Sequence, residues 1–108
     1  MTELIKLKAL ADETRLAMIK LLLTHDFCVG ALAKQLGISN AAVSQHLQVL
    51  RQAGLVRGQK RGYWMHYSVA REVVADLADE LKALVARGGD VVFKCQDSKP
   101  ESNKCCQG

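Results

Sequence analysis

The chain has 108 residues, 49% of them hydrophobic and 24% charged, with a formal net charge of +4. That length leaves room for one small core, and the composition excludes a fibrous or disordered chain. Apolar runs such as Leu21-Leu22-Leu23 fall far short of the ~20 residues of a membrane span, and the start Met1-Thr2-Glu3 has no basic leader, so a cytoplasmic location without a membrane partner is expected. The charge is unevenly placed. No Asp or Glu occurs between Phe27 and Arg71, while Lys34, Arg51, Arg57, Lys60, Arg61 and Arg71 all do. A long stretch of one sign inside a foldable pattern is an electrostatic footprint for a polyanion.

In chain order, Leu4, Ile5, Leu7 and Leu10 make a short apolar helix. Asp12 is a suitable N-cap for a second helix, with Leu16, Ile19, Leu22 and Leu23 at helical spacing and an end near His25. A third helix over 29–36 carries Leu32 and Leu36 and stops at Gly37. Ser39 caps a fourth over 40–52, with Val43, Leu47 and Leu50 on one face and Gly54 closing it. Two helices joined by about three residues that include a glycine form a helix-turn-helix, whose second helix can enter the major groove of DNA.

The period then changes. Residues 55–57 and 63–69 are rich in strand formers, and Gly58 to Gly62 supply turn residues, which predicts a β-hairpin, or wing, with Lys60 and Arg61 at its tip. Alternation in that hairpin assigns the aromatic residues Tyr63, Trp64 and Tyr67 to packing within it. A last helix over 71–87 carries Val73, Val74, Leu77, Leu81, Leu84 and Val85 as its stripe and ends at Gly88-Gly89. The expected organisation is a mostly α winged helix-turn-helix domain over 1–89 and a flexible tail over 90–108.

With Val43, Leu47 and Leu50 turned inward, Ala41, Gln45, Gln48 and Gln52 lie opposite, flanked by Asn40, Ser44 and Arg51. Gln and Asn can pair bidentately with adenine and Arg with guanine, so these are the candidate base readers. Arg57, Lys60 and Arg61 are candidates for phosphate. His46 flanks the buried face, which assigns it a hydrogen-bonding role at the core edge.

The segments LKALADETRLAMIKLLL over 7–23, ISNAAVSQHLQVLRQAGLV over 38–56 and GYWMHYS over 62–68 resemble the ArsR/SmtB family of metal-sensing repressors, a resemblance that covers roughly residues 4–87. It implies a homodimer through the first and last helices, operator DNA with an inverted repeat as partner, and derepression when an effector binds. Two family sites are altered here. Arsenic-sensing members often read Cys-Val-Cys after the second helix with another Cys a turn later, whereas this chain reads Cys28-Val29-Gly30 and then Ala33. Zinc-sensing members carry His on the last helix, which has none here.

Three of the four cysteines, Cys95, Cys105 and Cys106, fall in the last fourteen residues. In a reducing compartment such thiols are metal ligands or redox sensors rather than disulfides. Three sulfurs suit As(III) or Sb(III), or another thiophilic ion such as mercury, lead or cadmium, with Cys28 as a candidate fourth ligand. No cofactor is needed for DNA binding itself. The alternatives are a redox-sensing repressor of the same fold, in which a thiol pair closes to a disulfide, and a thiol metal carrier or enzyme. The latter leaves the basic block unexplained, and no acid/base pair or nucleophile-base spacing supports it, so the expectation is a protein that is not an enzyme.

Overall fold

The computed structural model describes residues 2–88, so Cys95, Cys105 and Cys106, with the expected tail, lie outside the described residues. Five helices and one hairpin follow in the order α1 (Thr2–Leu10), α2 (Glu13–Leu22), α3 (Val29–Leu36), α4 (Asn40–Gln52), β1 (Val56–Arg61), β2 (Trp64–Val69) and α5 (Arg71–Gly88). This is the expected mostly α winged helix-turn-helix.

The local signals act where they were read. Asp12 has extended backbone and its carboxylate accepts the Arg15 N–H at 3.0 Å, filling one of the donors left open at the start of α2. Ser39 does the same for α4, accepting the Ala42 N–H at 3.0 Å. Gly37 ends α3 in the left-handed region, at φ 68°, where a side chain would be strained. The turn between the two helices is therefore short and rigidly specified at both ends.

Helices α1 to α4 and the inner face of the hairpin share one core. Met18, Leu32, Val43, Leu47, Leu50 and Leu55 are fully buried in it, and no polar or charged residue is buried among the described residues. Burying each Leu-sized side chain contributes roughly 1.5–3 kcal/mol, so this shared core is what fixes α4 on its support.

The hairpin differs from its expected extent. Strand β1 runs on through Gly58 to Arg61 and pairs antiparallel with β2 in the register Val56↔Val69 to Arg61↔Trp64, leaving a turn of only Gly62 and Tyr63. Gly62 has φ 63° and Tyr63 does not share that region, as a tight turn with glycine first requires. Gly58 is thus a strand residue rather than a turn residue. A Cβ there would sit 2.8 Å from Met65 Cε, the free end of a flexible side chain, and 3.0 Å from Tyr67 Cε1, so any larger residue requires both side chains to shift. On its other side β2 meets a short third segment, with Phe27 and Tyr67 exchanging backbone hydrogen bonds of 3.2 and 2.8 Å.

Two compact units divide the chain within α5, the first ending at Leu77 and the second starting at Ala78. In the first, Leu77 is buried and Val73 and Val74 are half-buried. In the second, the described helical residues 78–88 are all exposed, including Leu81, Leu84 and Val85.

Candidate nucleic-acid interface

Helix α4 presents two contrasting faces. Val43, Leu47 and Leu50 anchor one in the core, which turns Ala41, Gln45, Gln48 and Gln52 to solvent, with Asn40, Ser44 and Arg51 exposed along the flank. Amide and guanidinium groups then project from a rigid rod about 10–12 Å across, a width that fits the major groove. Carboxylates are absent from this helix, so nothing on it repels phosphate.

The wing cations are exposed too, but two of them are engaged. Arg57 forms an ion pair with Glu72 at the start of α5, and Arg61 donates to Asp26 at 2.6 Å. Lys60 has no ion pair among the described residues. Arg51 lies with its guanidinium carbon 5.9 Å from the centre of the Tyr67 ring, which holds the end of α4 against the base of the wing. The aromatic residues divide: Tyr67 is 9% exposed and packs as expected, whereas Trp64 is 66% and Tyr63 97% exposed. For those two, packing within the hairpin is corrected, because the two-residue turn places Tyr63 at the very tip and the pleat turns Trp64 to the face opposite Tyr67.

One linkage was not visible in the sequence as a pair. Arg15 Nε donates to the Ala9 carbonyl at 2.6 Å, and its Nη1 lies 3.2 Å from His46 Nδ1. A guanidinium can only donate, so His46 Nδ1 accepts and its ring proton sits on Nε2. One side chain of α2 therefore ties the end of α1 to α4. The core-edge hydrogen bond expected of His46 is present, and Arg15 is its partner. Beside it, the Arg15 backbone N–H, with the Arg15 guanidinium adding positive potential, holds the Asp12 carboxyl below its ordinary value.

An open groove of about 630 Å³ runs between the helix-turn-helix and the wing, lined by Cys28, Lys34, Asn40, Trp64 and His66 among others. Cys28 is a free, half-buried thiol. No group of three or more His, Cys, Asp or Glu side chains able to hold a metal occurs among the described residues, so Cys28 has no complete ligand set there.

Comparison with known proteins bears on this arrangement directly. Residues 12–57 match the family described as "Bacterial regulatory protein, arsR family". The arsenical resistance operon repressor of Escherichia coli K12 is 34% identical over 96 residues, which cover 88% of this chain and 75% of that repressor. The chain belongs to the ArsR family. ArsR-family proteins are DNA-binding transcriptional regulators and not enzymes, and the helix-turn-helix above is their DNA-binding element. Family membership spans opposite regulatory outputs: the transcriptional activator HlyU of Vibrio cholerae is 37% identical over 78 residues, 72% of each chain. The homodimeric winged helix-turn-helix DNA-binding domain of Mycobacterium bovis, a possible ArsR-family regulator, superposes with a TM-score of 0.66 at 30% identity over 81% of each chain. No described helix of this ArsR-family chain is long and apolar enough to cross a membrane.

Proposed function

We propose that this ArsR-family regulator is a homodimeric repressor of a metal(loid) resistance operon, released from its operator when Cys95, Cys105 and Cys106 bind arsenite, antimonite or another thiophilic ion. The observation that carries the DNA half is the joint exposure of Asn40, Ala41, Ser44, Gln45, Gln48, Arg51 and Gln52 on α4 with Arg57, Lys60 and Arg61 on the wing. The residues on α4 read base edges, and the wing cations, once freed from their carboxylate partners, meet phosphate.

Dimerisation through the first and last helices is supported by exposed Leu4 and Ile5 on α1 and Leu81, Leu84 and Val85 on α5. Apolar side chains left in water on both elements are what a dimer buries. A dimer places its two recognition helices on half-sites about 34–36 Å apart, and an operator with inverted symmetry follows from that geometry.

The effector half rests on the three clustered cysteines of the tail and on the arsenical resistance repressor among the relatives. Thiolates capture soft ions, and a set that follows α5 in the chain can act on the dimer helix. Cys28 is a candidate fourth ligand.

The test is DNA release measured by fluorescence anisotropy under reducing conditions, with arsenite, antimonite, cadmium, lead, mercury and zinc titrated in turn. Wild type should dissociate with at least one trivalent or soft ion. A variant with Ser at 95, 105 and 106 should bind the same duplex and stay bound. Release from that variant by the same ion would place the effector site elsewhere, and release of wild type by peroxide but by none of the ions would make the tail a redox sensor.

A further inference from the structure

The wing carries two large aromatic side chains that the fold does not use. Tyr63 is 97% and Trp64 66% exposed, although burying an aromatic ring is among the larger apolar gains open to a small domain. Their surroundings point to a polyanion. Lys60 and Arg61 precede them, and Arg61 is the cross-strand partner of Trp64. Trp64 also lines the same groove as Lys34 and as Asn40, the first residue of the recognition helix. No carboxylate lines that groove. The ring is therefore continuous with the exposed surface at the N-terminal end of α4.

We propose that Trp64 and Tyr63 are DNA-contact residues: with α4 in the major groove, Trp64 packs on the sugar and base edges of the strand passing through the groove beside Asn40, and Tyr63 enters the adjoining minor groove. The inference rests on the DNA-binding reading and adds to it an apolar contact. Duplex DNA offers apolar surface in its deoxyribose faces and minor-groove walls, and proteins use exposed apolar side chains there. A six-residue strand spans about 20 Å, so the hairpin is long enough for its tip to reach past one phosphate ridge. Because Tyr63 and Trp64 are uncharged, their contribution releases no counterions. It should be insensitive to salt, unlike that of Arg57 and Lys60.

Trp64 is the chain's single tryptophan, so its emission reports this contact without labelling. The duplex is the tightest binder recovered from a random pool of about 30 base pairs, long enough for two half-sites about one turn apart. In the saturated complex Trp64 emission should change and its quenching by acrylamide should fall several-fold. Trp64→Ala and Tyr63→Ala should each weaken binding about fivefold to tenfold, the loss expected of removing an aromatic contact. The slope of log affinity against log salt should stay the same, and Trp64→Phe should retain most of the affinity. Both side chains are outside the core, so circular dichroism and melting temperature should match wild type, separating lost contact from lost fold. Unchanged acrylamide quenching in the saturated complex, or wild-type affinity in Trp64→Ala, overturns the proposal while leaving DNA binding intact. Failure to recover any duplex overturns the DNA-binding reading itself, and the two failures are distinct.

Discussion

Replacing Arg15 by Met removes both donors that link α1 and α4 while keeping most of the side-chain volume. Two acceptors then lose their partners, the Ala9 carbonyl and His46 Nδ1. Hydrogen bonds from a charged donor contribute about 1.5–3 kcal/mol each; this site is only half-buried, which favours the low end, so a loss of roughly 2–3 kcal/mol is expected. For a domain of this size each kcal/mol corresponds to about 4–8 °C in melting temperature, placing the drop near 10–20 °C. Urea unfolding followed by circular dichroism at pH 7 measures it. A double-mutant cycle with His46→Ala isolates the pair, with an expected coupling of about 1 kcal/mol. If the two substitutions add to within about 0.3 kcal/mol, the guanidinium is not holding α4 through His46 and the reasoning fails. Below the melting transition, Arg15→Met should also bind DNA more weakly, because α4 then loses its polar tie to α1 and α2.

Asp12→Asn keeps the cap acceptor but removes the charge. Since the Asp12 carboxyl is held below its ordinary value of 3.8, its ionised form stabilises the native state above that pH, and the contribution is lost as pH falls through the lowered value. Thermal melts from pH 7 to pH 3 should therefore show wild type above Asp12→Asn near neutrality and the gap closing below about pH 4; a gap that widens in acid contradicts this. Asp26→Asn frees Arg61 from its ion pair, so anisotropy titrations across salt should show tighter DNA binding with a log–log slope steeper by up to about 0.9 per protomer. An unchanged slope means that Arg61 does not reach phosphate. Gly58→Ala forces Met65 and Tyr67 to give way, and about 1 kcal/mol should be lost, visible as a lower urea midpoint. Ser39→Ala should cost about 1 kcal/mol by the same assay, with no change in DNA contacts once folded.

Features governed by neighbours in sequence were the ones open to reading. Asp12, Ser39 and Gly37 set helix ends within a turn, and Val43, Leu47 and Leu50 set which face of α4 is buried, so the exposed Gln and Asn set followed from periodicity alone. The hairpin misled because its glycines carry different meanings. Gly62 makes the turn, whereas Gly58 is small for the sake of Met65 and Tyr67 across the strand pair. Pairing between distant charges left no local trace: Arg61 meets Asp26 and Arg57 meets Glu72 only after folding. The same holds for Arg15 and His46, 31 positions apart. A map of charge along the chain therefore overstated the free positive charge of the wing while placing it correctly.

Strand β2 is shielded on its far side by the Phe27 bridge, but among the described residues nothing pairs with the outer edge of β1. Such an edge, with its open row of N–H and C=O groups, invites a second chain to add a strand. Arg57, Lys60 and Arg61 lie along it, and charged side chains on an open edge disfavour wing-to-wing stacking, an effect separate from any contact with DNA. Stripping all three to alanine would then produce a protein that both binds DNA poorly and sticks to itself, and the first defect could be mistaken for the second. Charge reversal at one position, as in Lys60→Glu, weakens attraction to phosphate yet leaves the edge guarded.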